Sequence, residues 1–391
     1  MGRSLSAKQF INGSNMQNLE AIQVFWPAAV TGLICSFLAS LFIVATKRWH
    51  GAFSMDGTRG VQKFHTVPTP RIGGIALLVG FVGAWVALPH GYTKGTATLF
   101  GLLLIGATPA FAAGLLEDFT KNVSVKVRLA ATAASGLLAA IITGYWVNSV
   151  DVPGVDWFLA LAPVGILFTA FAVAGIANSV NIIDGFNGLA SGVVILMLLT
   201  LAAIAYRVDD LVILNLGLLG AAVVFGFMAV NYPKGYIFLG DAGAYSLGYY
   251  VAVLAVALAM RNPVDVSPWA MLLVCGYPFI ETVFSIYRRV SRKRKHNPGC
   301  PDASHLHSLI YRRVVSRKLM PNAPAWQRNA YTAPFLWVYS FIPMLGAIFW
   351  PESIGMVVAW LLISFVVYQR MYRRMLRLSI YFRKRKAVGS I

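Results

Sequence analysis

Acidic side chains are scarce in this chain, and charge of either sign is thin. Asp and Glu number 14 in 391 residues, and all charged types together make up 12%, about half of what a soluble domain carries. That excludes an ordinary water-soluble globule. Cysteine is nearly absent. Cys35 and Cys275 fall in apolar runs and Cys300 in a basic loop, which excludes a disulfide framework and fits reduced packing residues. The alternating pattern of a membrane β-barrel is missing, and no internal repeat is visible. No small-residue cleavage site follows the first apolar run, which Lys47-Arg48 stops. It reads as a retained span, not a signal peptide.

What the chain has instead is apolar length. Hydrophobic residues make up 58% and the mean hydropathy is +0.68. Runs of about 17–25 apolar residues, each able to cross the hydrocarbon as a helix, recur from Phe25 onward. The fold class expected is all-α and polytopic, with eleven spans near 22–45, 72–90, 97–116, 128–147, 157–177, 188–206, 211–230, 238–260, 267–287, 334–350 and 353–369. On this reading residues 1–21 form an external segment, 22–369 the membrane core and 370–391 a basic cytoplasmic tail. The net charge is +19. If alternate loops are cytoplasmic, 46–71, 117–128, 178–187, 231–237, 288–333 and the tail hold 28 of the 33 Lys and Arg. That asymmetry places the N-terminus outside and the C-terminus inside. Insertion and anionic lipid headgroups account for the basic charge, so it does not argue for nucleic acid.

The few acids divide evenly. Seven map to plain outer loops. The other seven, Asp56, Glu117, Asp118, Asp184, Asp241, Glu281 and Asp302, map to the inner side or the inner end of a span. Carboxylates at a membrane boundary are costly unless paired, hydrated or bound to a cation. Several of them gathered beside a basic loop suggest a site for Mg²⁺ and phosphate, since Mg²⁺ takes one or two carboxylates together with phosphate oxygens.

Five stretches carry the polar chemistry. In "GLLEDFTKNVSVKVR", Glu117 and Asp118 are adjacent, so a low-dielectric site would raise one pKa or recruit a cation; Lys121, Lys126 and Arg128 follow. The plainer reading is a solvated helix exit. "NIIDGFNGLASG" places Asn181, Asp184 and Asn187 between uncharged walls. A helix cap explains one of them but not the set, which also includes Asn178. "NYPKGYIFLGDAGAYSLG" opens an apolar helix at Gly240-Asp241, where the N-terminus favours an anion and Asp241 could hold a bridging cation; an N-cap is the alternative. "HNPGCPDASHLHSLIYRR" carries His305 and His307. No companion ligands of zinc spacing accompany them, so phosphate contacts fit better, and an amphipathic surface helix is the alternative. "KFHTVPTPRIGG" begins at Lys63 and has an extended, proline-rich approach to a span; its basic residues can face phosphate, or it is a rigid connector.

In this order and at these span positions, the five stretches resemble the polyprenyl-phosphate N-acetylhexosamine-1-phosphate transferases of the glycosyltransferase family 4 type. That family includes the bacterial UDP-GlcNAc:undecaprenyl-phosphate transferases and the phospho-MurNAc-pentapeptide translocase. The likeness runs from about Lys63 to Arg313. It implies that Glu117 and Asp118 match the first acidic pair, with Asp118 the favoured catalytic member and Glu117 and Asp184 assisting. It implies that Asp241, with Asp118, holds Mg²⁺, for which Mn²⁺ can substitute. Asn181, Asp184, Asn231, Phe238 and Gly240 match nucleotide-site positions, Phe238 as an aromatic that stacks on uracil. Lys63, Lys121, Lys126, His305 and His307 are the expected phosphate and sugar contacts. The context "PDASHLH" and eleven spans are closer to the UDP-GlcNAc branch. Glu117 stands where the family usually has aspartate, and Asn187 where many members have a second one.

The activity implied is transfer of a sugar 1-phosphate from a UDP-sugar, GlcNAc or a related 2-acetamido sugar, to undecaprenyl phosphate. UMP is released and lipid-linked polysaccharide synthesis begins, as for O-antigen or cell-wall polymers. The expected setting is the bacterial inner membrane with the site facing the cytoplasm. The partners are the two substrates and membrane lipids; a homodimer stays open. An ion- or proton-coupled transporter is the competing reading, but it expects charges near the bilayer midplane and related halves.

Overall fold

The computed structural model describes residues 4–57, 64, 67–89, 94–291 and 304–388. Helix dominates, because backbone N–H and C=O groups inside hydrocarbon must be satisfied within the segment. Among the described residues one strand pairing occurs, an antiparallel match of Met55–Asp56 with Thr69–Pro70.

Eight helices among the described residues are long and apolar enough to span a bilayer: Phe25–Ala45, Val125–Thr143, Ala162–Ile183, Leu189–Arg207, Leu211–Asn231, Gly240–Arg261, Ala325–Phe349 and Ile354–Leu378. Two broken pairs raise the number to ten if each is one span: Gly95–Gly106 with Thr108–Thr120, bent by 43°, and Pro268–Val274 with Gly276–Ser291, bent by 81°. The chain is therefore an all-α polytopic membrane protein, with eight to ten such spans among its described residues. The expected segment 72–90 folds as the 14-residue helix Gly73–Val86. At 1.5 Å per residue it is about 21 Å long, less than the ~30 Å of hydrocarbon. The last helix runs unbroken from Ile354 to Val388, so the basic tail continues a span through 388.

The sharper break has a local cause. Pro278 has no N–H to give the carbonyl of Val274, the last residue of the Pro268–Val274 helix, so the ladder cannot run through. The helix that follows is two-faced. Tyr277, Ile280, Glu281, Phe284 and Arg288 are buried, while Val283, Ile286, Tyr287 and Val290 are exposed. An apolar outer face of this kind suits a lipid boundary.

The Gly240–Arg261 helix is the hub. Its most apolar stretch is 89% buried, against 28% for Phe25–Ala45 and 17% for Ile354–Leu378 at the rim. It packs on Ala162–Ile183, Thr108–Thr120, Gly73–Val86 and Leu189–Arg207. Close approach rests on missing side chains. A Cβ at Gly248 would lie 2.6 Å from the Ala177 Cα; one at Gly114 would lie 2.5 Å from the Ala242 amide nitrogen, and one at Gly74 the same distance from that of Gly243. Two other helices are thereby pressed against the first turn of the hub. At its far end Arg261 donates to both oxygens of Asp210, at 2.6 and 3.0 Å, and Asp210 also accepts from Ile213 N–H at 3.2 Å. At the rim, Leu167 and Phe171 are 63% and 74% exposed, as lipid-facing side chains would be.

Gly248→Leu forces a side chain into backbone. It is expected to lower the thermal unfolding midpoint in detergent by the equivalent of about 1–3 kcal/mol or more, whereas Phe171→Leu on the rim stays within ~0.5 kcal/mol.

Candidate functional site

Remote segments end at one point beside the start of the hub. Thr108–Thr120 brings Glu117 and Asp118 in its last turn, and Ala162–Ile183 brings Asn181 with Asp184 just beyond it. Gly240–Arg261 brings Asp241 in its first turn. Arg71 precedes the Gly73–Val86 helix, and Arg128 lies near the start of Val125–Thr143.

Asp118 is wholly buried. Its Oδ1 accepts the Asp241 N–H at 2.8 Å and its Oδ2 the Ala242 N–H at 2.9 Å. The first amides of a helix have no partner within it, and this helix has no side-chain cap of its own. Asp118 supplies one from a different helix, where the positive end of the dipole also favours its charge. Gly240 makes the approach possible: its φ is +74°, and a Cβ there would stand 2.6 Å from Asp118 Oδ2.

Asp241, 5% exposed, is surrounded by donors. Its Oδ1 accepts from Arg71 Nη2 at 2.6 Å and from Asn181 Nδ2 at 3.1 Å. Its Oδ2 accepts from Arg128 Nη1. Arg71 also spans to Asp118, with Nε 3.2 Å from Oδ1. Burial works against the Arg71 charge, but Asp241 and Asp118 outweigh it and hold the guanidinium's pKa above its usual range. Glu117 accepts the Val123 N–H at 2.8 Å with one oxygen, and its other oxygen lies 4.0 Å from Arg128 Nη1.

Asp184 differs from the other three. It is half-buried, and no hydrogen-bond donor among the described residues reaches its carboxylate. Burial pushes its pKa up to about 7; the Asp241 charge adds to the rise and Arg71 opposes it. A carboxyl of this kind is poised to exchange a proton near neutral pH or to take a cation.

Neither capping alternative is realised. The Leu189–Arg207 helix starts at Gly188, with φ +72° and no side-chain cap, while Asp184 ends the preceding helix. Asn187 donates to the Pro233 carbonyl at 3.0 Å. Asn231 is buried with both amide ends used: it accepts from Gly188 N–H at 2.7 Å and donates to the Ile237 carbonyl at 2.6 Å. Asn231 thus joins two turns of the site. Phe238 is half-buried, and its backbone ties the hub to the approach strand: its N–H donates to Pro70 O at 2.8 Å and its carbonyl accepts from Gly73 N–H at 3.0 Å. Lys121 is exposed and donates to the Met55 carbonyl at 2.9 Å. Lys126 is exposed on the first turn of its helix. Lys63 lies outside the described residues.

The histidines come to the same place. The His307 ring lies against Gly185, where a Cβ would stand 3.1 Å from its Nε2. It stacks on His305 at a centroid distance of 5.3 Å, and His305 Nδ1 lies 2.9 Å from Glu281 Oε1. Two residues of this assembly have no role in the sequence reading. Arg71 had a signal, a basic residue in the proline-rich approach. Glu281 had only its inner-side position.

Among the described residues no group of three or more His, Cys, Asp or Glu side chains is arranged to hold a metal. Both oxygens of Asp241 are taken by Arg71, Arg128 and Asn181, so Mg²⁺ would reach Asp241 only where substrate phosphates draw the arginines off and add oxygens of their own. Asp118 fits less well, since both its oxygens already cap the hub. An apolar cavity of about 260 Å³, lined by residues such as Phe168, Ile176, Ala255 and Trp269, lies elsewhere. Its lining on the hub begins at Ala252, about 16 Å along the axis from Asp241 at 1.5 Å per residue.

Residues 100–259 match the model of glycosyl transferase family 4. A probable undecaprenyl-phosphate N-acetylglucosaminyl 1-phosphate transferase of Bacillus subtilis is 28% identical over 78% of this chain and 80% of its own length. An undecaprenyl-phosphate alpha-N-acetylglucosaminyl 1-phosphate transferase of Yersinia pestis is 25% identical over 91% of this chain and 94% of its own. A phospho-N-acetylmuramoyl-pentapeptide-transferase of Streptococcus thermophilus is 29% identical over 59% and 70%.

Asp118→Asn keeps the shape but turns an NH₂ toward one of the two amides it now accepts. The thermal unfolding midpoint should fall by the equivalent of about 1–3 kcal/mol, the cost of a buried donor left unpaired. Asp184 gives a pH signature. The folded protein keeps its proton up to about pH 7, whereas an unfolded aspartate loses it near pH ~4. Stability of the cation-free protein should therefore fall as pH rises through that window, and Asp184→Asn should flatten the decline in melting temperature against pH.

Proposed function

The chain belongs to glycosyl transferase family 4, and from that premise we propose that it transfers an N-acetylhexosamine 1-phosphate from a UDP-sugar to undecaprenyl phosphate, releasing UMP. The observation that carries this reading is the convergence on Asp241. An acidic side chain in the first turn of a buried helix is held between Arg71, Arg128 and Asn181, with the open carboxylate of Asp184 close by. Such a site suits a diphosphate that arrives with a cation. The relatives' names speak for the same pair of substrates and lend nothing to a transporter.

An oxygen of the lipid phosphate attacks the β-phosphorus of the UDP-sugar. A new P–O bond forms there. The bond from that phosphorus to the bridging oxygen breaks, and the bridging oxygen leaves with UMP. Asp184, whose carboxylate is unengaged, takes or aligns the proton of the incoming phosphate; a pKa near the working pH suits that task. Arg71 and Arg128 share their donors between Asp241 and the phosphate oxygens, where planar guanidinium forks are effective. Asp118 acts through the backbone it holds, and Glu117 by keeping the Val123 turn beside Arg128. Mg²⁺ would be held by Asp241 and phosphate oxygens, and would supply charge neutralisation for the leaving UMP. Phe238 and Gly240 serve the nucleotide, and His305, His307 and Lys126 the phosphates and sugar.

Orientation follows from the basic loops. The Arg71, Asp118 and Asp184 ends of their helices face the side that holds 28 of the 33 Lys and Arg, the cytoplasmic side of a bacterial inner membrane on the positive-inside rule. Eleven spans agree with that parity if Gly73–Val86 crosses a thinned stretch of bilayer.

Asp241→Asn should insert and melt within a few degrees of wild type, yet lose about 10²-fold or more of UMP release from UDP-GlcNAc with undecaprenyl phosphate. Chelation should silence the wild-type enzyme and added Mg²⁺ restore it. Undiminished UMP release by the variant would remove Asp241 from the centre of the mechanism.

A further inference from the structure

Glu281 is a fully buried carboxylate that the transfer just described does not use. A buried carboxylate persists only where donors offset its lost hydration. Here His305 Nδ1 lies 2.9 Å from Oε1, and the Leu306 N–H lies 3.3 Å from each oxygen. With the carboxylate as acceptor, Nδ1 is the protonated ring nitrogen, and the orientation of the imidazole is fixed. Seven residues on, along the same face of the same helix, Arg288 Nη1 donates to the Ser304 carbonyl at 2.5 Å and to Tyr372 Oη at 2.8 Å. The Gly276–Ser291 helix therefore grips the chain at 304 and again at 305–306.

The grip is passed on. The His305 and His307 rings stack within 11° of parallel. His307 is 4% exposed, packs edge-on to Phe186 at 5.6 Å and abuts Gly185, the residue after Asp184. A line of contacts runs from Glu281 through His305 and His307 to Gly185, the chain neighbour of Asp184.

We propose that Glu281 is a positioning residue of the transferase site, holding His305 by hydrogen bond, and His307 by ring stacking, against the Asp184–Gly185 turn. The role rests on the transferase reading. Glu281 touches neither substrate. It fixes an imidazole at the edge of the phosphate site, and its charge and geometry are felt through that ring.

The test uses the full-length protein in detergent with undecaprenyl phosphate and a panel of UDP-N-acetylhexosamines. Wild-type UMP release comes first; its absence with every sugar overturns the transferase reading and this role with it. With an active wild type, Glu281→Gln, His307→Gln and the double variant are compared for kcat, KM and melting temperature. Glu281→Gln should lower kcat by about ten- to a hundredfold, the usual effect of removing a carboxylate that orients a functional histidine, with KM for the UDP-sugar unchanged within about twofold. The double variant should be no slower than His307→Gln alone, because the two residues act in series. Should Glu281→Gln fail to fold, His305→Asn keeps an N–H toward Glu281 while removing the stacked ring, and its cycle with His307→Gln separates the same two outcomes. Factors that multiply in the double variant, or a kcat for Glu281→Gln within twofold of wild type, would overturn the proposal.

Discussion

The Asp118 carboxylate, closed over the first two amides of the Gly240–Arg261 helix, holds the whole site in register. Its charge is tolerable at full burial because the two amides and Arg71 surround it, at the helix end where the dipole favours an anion. The same contact fixes the opening turn of the hub. That turn decides where Asp241 points and which arginines it meets. Glycines at 74, 114 and 240 let the neighbouring backbones come close enough for the cap to form.

A chain with so few acids spends its buried ones in distinct ways. Asp118 is satisfied by backbone amides, Asp241 by guanidinium groups and an asparagine, and Glu281 by an imidazole and an amide. Asp210, at the far end of the hub, has a bidentate arginine. Asp184 is the exception, without a donor among the described residues. The unsatisfied carboxyl sits in the cluster where a substrate and its cation would bring donors and charge, which is where an unpaired group can be useful rather than merely costly. The hub thus carries an ion pair at each end, and the open carboxylate of Asp184 stands on a neighbouring element beside the second.

Most of the helices are legible in the sequence, because a membrane span is written in composition and length. The centres of the expected segments fall within helices or broken pairs. Geometry is what escapes. The 81° break at 275 depends on a single proline set against one carbonyl, and hydropathy is blind to that. The short helix Gly73–Val86 reads as a full span because its flanks are apolar, although the chain leaves helical structure there. At the site, the acidic positions are legible as a set, since span parity sends them to one side. Their partners are not. Asp118 is the catalytic member that the motif favours, yet its oxygens are committed to amides 123 and 124 residues away. Asn231 is expected at a nucleotide and instead binds two turns together.

The order of residues alone establishes a polytopic helical membrane protein and picks out five polar stretches, with half of the few carboxylates expected on their side. Apolar length, charge asymmetry and local motif are properties of contiguous residues, and they survive in one dimension. Packing in three dimensions settles which carboxylate caps a helix, which is gripped by arginines, which holds a histidine and which stays open. Those assignments rest on contacts between residues as much as 170 positions apart, set by how closely glycine-lined helices approach.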